Sequence, residues 1–101
     1  MKNEMKNNLR QLAQAASAYW EVPMDELQSA SRKQSLAWPR WVCMYLAIDA
    51  GYRRVDIGNW WRRDHSTVTY GNKKVTEAIQ LYPADRQDIL DFVDFWRDSL
   101  R

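Results

Sequence analysis

Residues 53–79 read RRVDIGNWWRRDHSTVTYGNKKVTEAI, and the reading of this stretch decides the fold. Val55, Ile57 and Trp60/Trp61 supply the apolar anchors of one short helix. Arg62 and Arg63 interrupt it. Asp64 then has the chemistry of a helix N-cap, because its carboxylate can accept amides that the first helical turn leaves unpaired. From there Val68, Gly71, Val75 and Ala78/Ile79 form an inward stripe. His65, Thr69, Asn72/Lys73 and Thr76 fall on the opposite side, with Ser66, Tyr70 and Lys74 alongside. The pattern predicts two helices joined by a tight basic turn.

Outward from this pair the chain keeps a helical period. Met5, Leu9, Leu12, Ala16 and Tyr19/Trp20 recur at spacings of three and four, the apolar stripe of an amphipathic first helix. Val22-Pro23 breaks it, and PMDELQS reads as a short helical turn with Pro23 near its start, where a missing N–H costs nothing. SASRKQS (29–35) is polar and basic and reads as a loop. Trp38-Pro39 is expected to open WPRWVCMYLAIDA, with Trp38, Val42, Tyr45, Leu46 and Asp49 along one side. That segment is apolar almost all round, which predicts the central buried helix, and Gly51 suits its C-terminal end. After Pro83 a last helix carries Ile89, Phe92, Val93, Trp96 and Leu100 inward and Asp88, Asp91, Asp94 and Asp98 outward. No segment alternates with period two. The expected fold is therefore all-α, a compact single domain over residues 1–101. It should hold about five to six helices, with a helix-turn-helix near 53–79 and an acidic C-terminal helix near 84–99.

Composition narrows the function. A chain of 101 residues is large enough for one modest core. The single Cys, Cys43, excludes an internal disulfide and fits a reducing cytoplasm. No apolar run approaches the ~20 residues of a membrane span, and MKNEMKNNLRQ lacks the apolar core of a signal peptide. The net charge of +2 conceals a segregation: residues 32–74 carry nine basic and three acidic side chains, net +6, between a first segment at −1 and a last at −3. A basic middle between acidic ends suits a surface that meets a polyanion on one side. Scattered solvated charge is the plain alternative.

His65 is the only histidine, and it stands beside Asp64, Ser66 and Thr67. A Ser-His-Asp relay needs three side chains that converge, whereas consecutive residues at a helix start fan out by ~100° each. Zinc sites draw three or four ligands from His, Cys and carboxylates, and one His with one Cys on different helices supply too few. No Gly-rich phosphate loop occurs. No catalytic residue, metal or cofactor is expected. DNA reading fits better, because a helix-turn-helix places the N-terminal turn of its second helix in the major groove. His, Ser and Thr can hydrogen-bond base edges. Arg62, Arg63, Lys73 and Lys74 would bracket that turn with phosphate contacts, with Thr69 and Lys33 beside them. From these residues alone, a plainly capped helix with a solvated His65 remains the alternative.

The stretch from about Val22 to Ile79 resembles the C-terminal DNA-binding domain of the bacterial replication initiator DnaA. The pieces that carry the resemblance are YWEVPMDELQS, a basic loop with Arg32-Lys33, LAWPRWVCMYLA, DIGNWW and RDHSTVTYGNKKV. The resemblance implies an all-helical fold and roles for particular residues. Arg32 stands where the family places an arginine in the minor groove. Asp64, His65 and Ser66 occupy the positions that read bases in the major groove, and Thr67 matches a further threonine at the DNA surface. Arg40 matches an arginine that contacts the DNA backbone. Five positions depart from the pattern: Trp41 replaces a usual glutamine, Arg62 replaces a turn glycine, and Ala30, Ser31 and Gln34 thin the basic loop.

The initiator couples this domain to an ATPase, for which 101 residues leave no room, so origin unwinding is not expected of this chain by itself. The first expectation is a sequence-specific double-stranded DNA-binding protein acting in transcription, cytoplasmic and nucleoid-associated, of bacterial or phage type. The second is control of replication initiation at initiator-box-like sites. The third is a helical interaction module without DNA binding, which the six tryptophans keep open. On the last helix, Leu90 and Phe95 beside Asp91, Asp94 and Asp98 are a candidate contact for RNA polymerase or another protein, against the plainer reading of a solvated face.

Overall fold

The computed structural model describes the backbone of residues 2–100 and the side chains of residues 8–100. The elements are α1 (Lys2–Tyr19), α2 (Met24–Leu27), α3 (Gln34–Asp49), α4 (Arg54–Trp61), α5 (His65–Leu81) and α6 (Pro83–Ser99). No strand occurs among the described residues, and none of their helices is long and apolar enough to cross a membrane. The helix α3 lies at the centre, with its broadest packing against α5, while α1 bridges α3 and α6. Its all-round apolar sequence requires that position: Val42, Cys43, Met44 and Ala47 are all buried. Around them gather Leu9, Leu12 and Ala16 of α1, Leu27 of α2, Ile57 and Trp61 of α4, Val68 and Val75 of α5, and Ile89 and Phe92 of α6. Met5, assigned to the α1 stripe by its spacing, lies outside the described side chains. Burial pushes the Cys43 thiol well above its ordinary pKa, so this cysteine is packing rather than chemistry.

Three helix ends use one device. Glu21, Gly51 and Arg62 have φ of 55°, 99° and 58°, the left-handed conformation that turns a chain out of a helix. At each the following amide bonds back across the end: Val22 N–H to the Ser17 carbonyl at 3.0 Å, Tyr52 to Ala47 at 3.1 Å, and Arg63 to Gly58 at 2.8 Å. A residue with a Cβ pays roughly 1–2 kcal/mol for this conformation. At Glu21 a hydrogen bond from Ser17 Oγ to the Val22 carbonyl, 2.5 Å, helps hold it.

Several side chains differ from the periodic expectation, each for a local reason. The helix α3 begins at Gln34, a full turn before Trp38, because the Lys33 carbonyl already accepts the amides of Leu36 and Ala37 at 3.0 Å. Pro39 thus sits inside the helix, and the carbonyl it leaves without an amide belongs to the exposed Ser35. Val55 and Leu100, expected as anchors, are 54% and 56% exposed. They sit at the ends of α4 and α6, where the stripe runs past the edge of the core.

Asp88 is the larger correction. It turns inward from α6 and accepts Trp20 Nε1 at 3.0 Å and Trp38 Nε1 at 2.9 Å on one oxygen, and the Tyr19 hydroxyl at 3.1 Å on the other. Half-buried indoles need such an acceptor, and one carboxylate serves two of them. Burial first, then the bond to Asp88 and the charges of Asp88 and Asp91, raise the Tyr19 pKa from its ordinary 10.0. Because the folded value is the higher one, this contribution to stability is fully present below pH 10 and is lost as pH rises through the folded pKa. Between about pH 9 and pH 11 the melting temperature of Tyr19→Phe is expected to fall less steeply than that of the unmodified chain. Equal slopes would contradict the raised pKa.

Candidate nucleic-acid interface

The crossing of α4 and α5 is built on a missing side chain. At Gly58 a Cβ would stand 2.6 Å from the Arg63 carbonyl oxygen and 3.4 Å from the His65 amide nitrogen. The turn therefore passes directly over the end of α4, and only a glycine there permits it. Arg62 reverses the chain in the left-handed region, φ 58° and ψ 44°, and its amide reaches the Asn59 carbonyl at 3.2 Å. The position that the DnaA pattern gives to glycine is thus one where glycine is the unstrained residue, and the present arginine adopts the same backbone. Asp64 then caps α5, its Oδ1 accepting the Ser66 amide at 3.3 Å.

The first turn of α5 presents its polar tips to solvent. Asp64, His65 and Ser66 are exposed, and His65 Nδ1 lies 3.0 Å from Asp64 Oδ1. Thr67 is half-buried, its amide tied to the Asp64 carbonyl at 3.0 Å. Thr69 and Lys73 are exposed further along, and Lys74 is half-buried with Nζ 5.8 Å from the centre of the Tyr70 ring.

A groove of about 900 Å³ joins this turn to the basic loop. Arg32 lines it from the loop, Trp41 and Met44 from α3, Arg62 and Arg63 from the turn, and Thr67 and Tyr70 from α5. Arg32 and Thr67, 35 positions apart in the chain, therefore open on one concavity. Lys33 is exposed beside Arg32 but is not part of the groove lining.

Two of the arginines expected on DNA phosphates are engaged inside the protein instead. Arg40 is only 5% exposed. Its Nε donates to the Leu27 carbonyl at 2.6 Å, Nη1 to the Ser31 carbonyl at 2.5 Å, and Nη2 to the Glu26 and Ser29 carbonyls at 2.9 Å each. Arg40 thus clasps residues 26–31, where the carbonyls of Leu27, Ser29 and Ser31 accept no backbone amide. Half-buried Arg63 donates to the Trp61 carbonyl at 2.8 Å and to the Ser29 carbonyl that Arg40 also holds. Burial lowers the pKa of both guanidiniums, and the charge of Arg63 lowers that of Arg40 further. Both positive charges thus secure the loop that carries Arg32.

Trp41 fills its place by packing. Its ring meets Tyr70 edge-on, with centroids 5.7 Å apart, and a Cβ added to Gly71 would come within 2.7 Å of Trp41 Cδ1. Tyr70, which the helical period places beside the polar face without a role, lines the groove and is 53% exposed. Its signal was its place three residues after Thr67, the spacing that sets two side chains on one helical face.

The family model for the bacterial dnaA protein helix-turn-helix matches residues 9–75. That span takes in most of α1 as well as the helix-turn-helix, so it starts upstream of the resemblance visible from Val22. Among similar proteins, the chromosomal replication initiator protein DnaA of Desulfotalea psychrophila is 40% identical over 65 residues, covering 63% of this chain and 14% of the relative. The protein of the same description from Levilactobacillus brevis is 33% identical over 87 residues, 82% of this chain and 18% of the relative. That of Deinococcus deserti is 35% identical over 80 residues, 78% of this chain and 17% of the relative. The chain spans less than a fifth of the length of each of these relatives.

Proposed function

The chain belongs to the bacterial DnaA helix-turn-helix family, and on that premise we propose that it binds double-stranded DNA sequence-specifically and acts as a transcriptional regulator. The observation that carries the proposal is the shared groove: the loop bearing Arg32 and the turn bearing Thr67 open on the same side. In this reading the first turn of α5 enters the major groove, with His65, Ser66 and Asp64 on base edges. Arg32 lies in an adjacent minor groove, where a narrow groove attracts a guanidinium. Lys33, Arg62, Thr69, Lys73 and Lys74 hold phosphates, and the expected grip of Arg40 and Arg63 becomes indirect, through the loop they secure. A protein partner, RNA polymerase among the candidates, belongs to the same proposal through the outer face of α6. There Leu90 and Phe95 are exposed beside Asp91, Asp94 and Asp98, away from the groove lining.

A second reading, control of replication initiation, is favoured by the run Asp64-His65-Ser66-Thr67, which keeps the initiator's pattern. Selection from random-sequence duplexes separates the two. An enriched motif unrelated to the initiator box and lying upstream of genes supports transcription, and a motif close to that box supports replication control. No enrichment at all contradicts both. Base contacts are worth about 1–3 kcal/mol each, so His65→Ala is expected to relax the preference for the selected site. Lys73→Ala is expected to weaken all duplexes alike and to shallow the salt dependence by roughly one unit. Equal effects of the two variants on matched and mismatched duplexes contradict the base-reading role of His65.

A further inference from the structure

Tyr70 is a large exposed aromatic on the groove side, and none of the residues read from the DnaA pattern accounts for it. Its ring stands edge-on to Trp41 at 5.7 Å, and Lys74 Nζ lies 5.8 Å from its centre on the same helix. Trp41 in turn is seated where Gly71 lacks a Cβ, with less than van der Waals room for one. The pair is therefore braced from behind by the α3–α5 contact while the Tyr70 side chain stays 53% exposed at the groove. An immobilised aromatic loses little further rotamer freedom on contact with a ligand. The hydroxyl makes no hydrogen bond to any described residue, so its donor is free.

We propose that Tyr70 is a DNA-backbone contact of this protein, its hydroxyl donating to a phosphate oxygen at the wall of the major groove, with Trp41 as the residue that positions it. The proposal rests on the DNA-binding reading above and extends it to a site outside the base-reading turn. In a helix-turn-helix the first turn of the second helix meets base edges, and a side chain one turn later on the same face meets the groove wall. Tyrosine hydroxyls are among the groups that fix register there by bonding phosphate oxygens. The chemistry also fits what α3 lacks on this side of the groove. Arg40, the neighbour of Trp41, faces inward to the loop carbonyls, and Trp41 itself brings no charge to a phosphate, only an indole N–H. The aromatic pair supplies a neutral donor on that side of the groove.

The test is Tyr70→Phe, which keeps the ring and its edge contact and removes only the hydroxyl. A hydrogen bond to a charged oxygen is expected to change the Kd for a mixed-sequence duplex of about 20 base pairs, roughly two turns of B-DNA, by about tenfold. The loss should be the same for matched and mismatched sequences, since a phosphate carries no sequence information. The slope of log Kd against log salt should stay that of the unmodified chain, because a neutral donor releases no counterion. The melting temperature should be unchanged, and Trp41→Leu should reproduce part of the loss by freeing the Tyr70 ring. Unchanged affinity of Tyr70→Phe, or a loss matched by a fall in melting temperature, overturns the proposal. Absence of duplex binding by the unmodified chain at low salt is a different failure, of the DNA-binding reading itself, and takes this contact with it.

Discussion

Gly58→Ala is expected to destabilise the protein by about 3 kcal/mol, lowering the melting temperature by roughly 15 °C. In an ordinary helix the same change would stabilise by up to about 1 kcal/mol, because alanine is the better helix former. Here the new methyl would stand 2.6 Å from the Arg63 carbonyl oxygen. Its neighbours are backbone atoms of the turn, held by the bond from the Arg63 amide to the Gly58 carbonyl and by the left-handed Arg62. They cannot move without shifting α5 against α4. Gly71→Ala is the useful comparison, since its nearest obstruction at 2.7 Å is a side chain, that of Trp41, and not the backbone of a turn. Gly58→Ala should therefore be the more damaging of the two by thermal denaturation. A melting temperature at or above that of the unmodified chain would show that the turn does not cross α4 as described.

Arg40→Ala is expected to cost about 3 kcal/mol as well, and to weaken DNA binding through the loop. The substitution removes a guanidinium that reaches the carbonyls of Glu26, Leu27, Ser29 and Ser31 together. Water can replace some of those bonds, which keeps the figure below their sum. Lysine is not expected to rescue the variant, because one ammonium cannot span the positions that a planar fork reaches. A direct phosphate contact makes the opposite prediction: Arg40→Ala would leave the melting temperature alone and shallow the salt slope by roughly one unit. Thermal denaturation and a salt titration of the same variant thus decide between a clasp and a contact.

What was legible in the sequence is what depends on near neighbours. The N-cap at Asp64, the stripe through Val68, Gly71 and Val75, and the ends at Gly51 and Pro83 are set within a few residues, and period and capping chemistry reveal them. The destinations of long polar side chains were not legible. Asp88 shares its spacing with Asp91, Asp94 and Asp98, yet its partners lie 50 to 69 residues away, at the end of α1 and in α3. Arg40 carries the chemistry of a phosphate ligand, and only the tertiary placement of the loop turns it inward. The periodic pattern likewise fixes a helix's face but not where the core beneath it ends, which is why Val55 and Leu100 are exposed. For the candidate site, the exposed polar turn followed from residues 62–67, whereas the groove that joins it to Arg32, and Tyr70 within it, required the packing of α3 on α5.

The most direct test of the central claim is a fluorescence-anisotropy titration of the unmodified chain against a mixed-sequence duplex over a range of salt. Binding is expected at low salt. It should weaken linearly on a log–log scale, by on the order of 0.9 decade per decade of salt for each phosphate engaged. No binding at the lowest salt, or binding insensitive to salt, would contradict a DNA-reading surface on α5 and its basic loop.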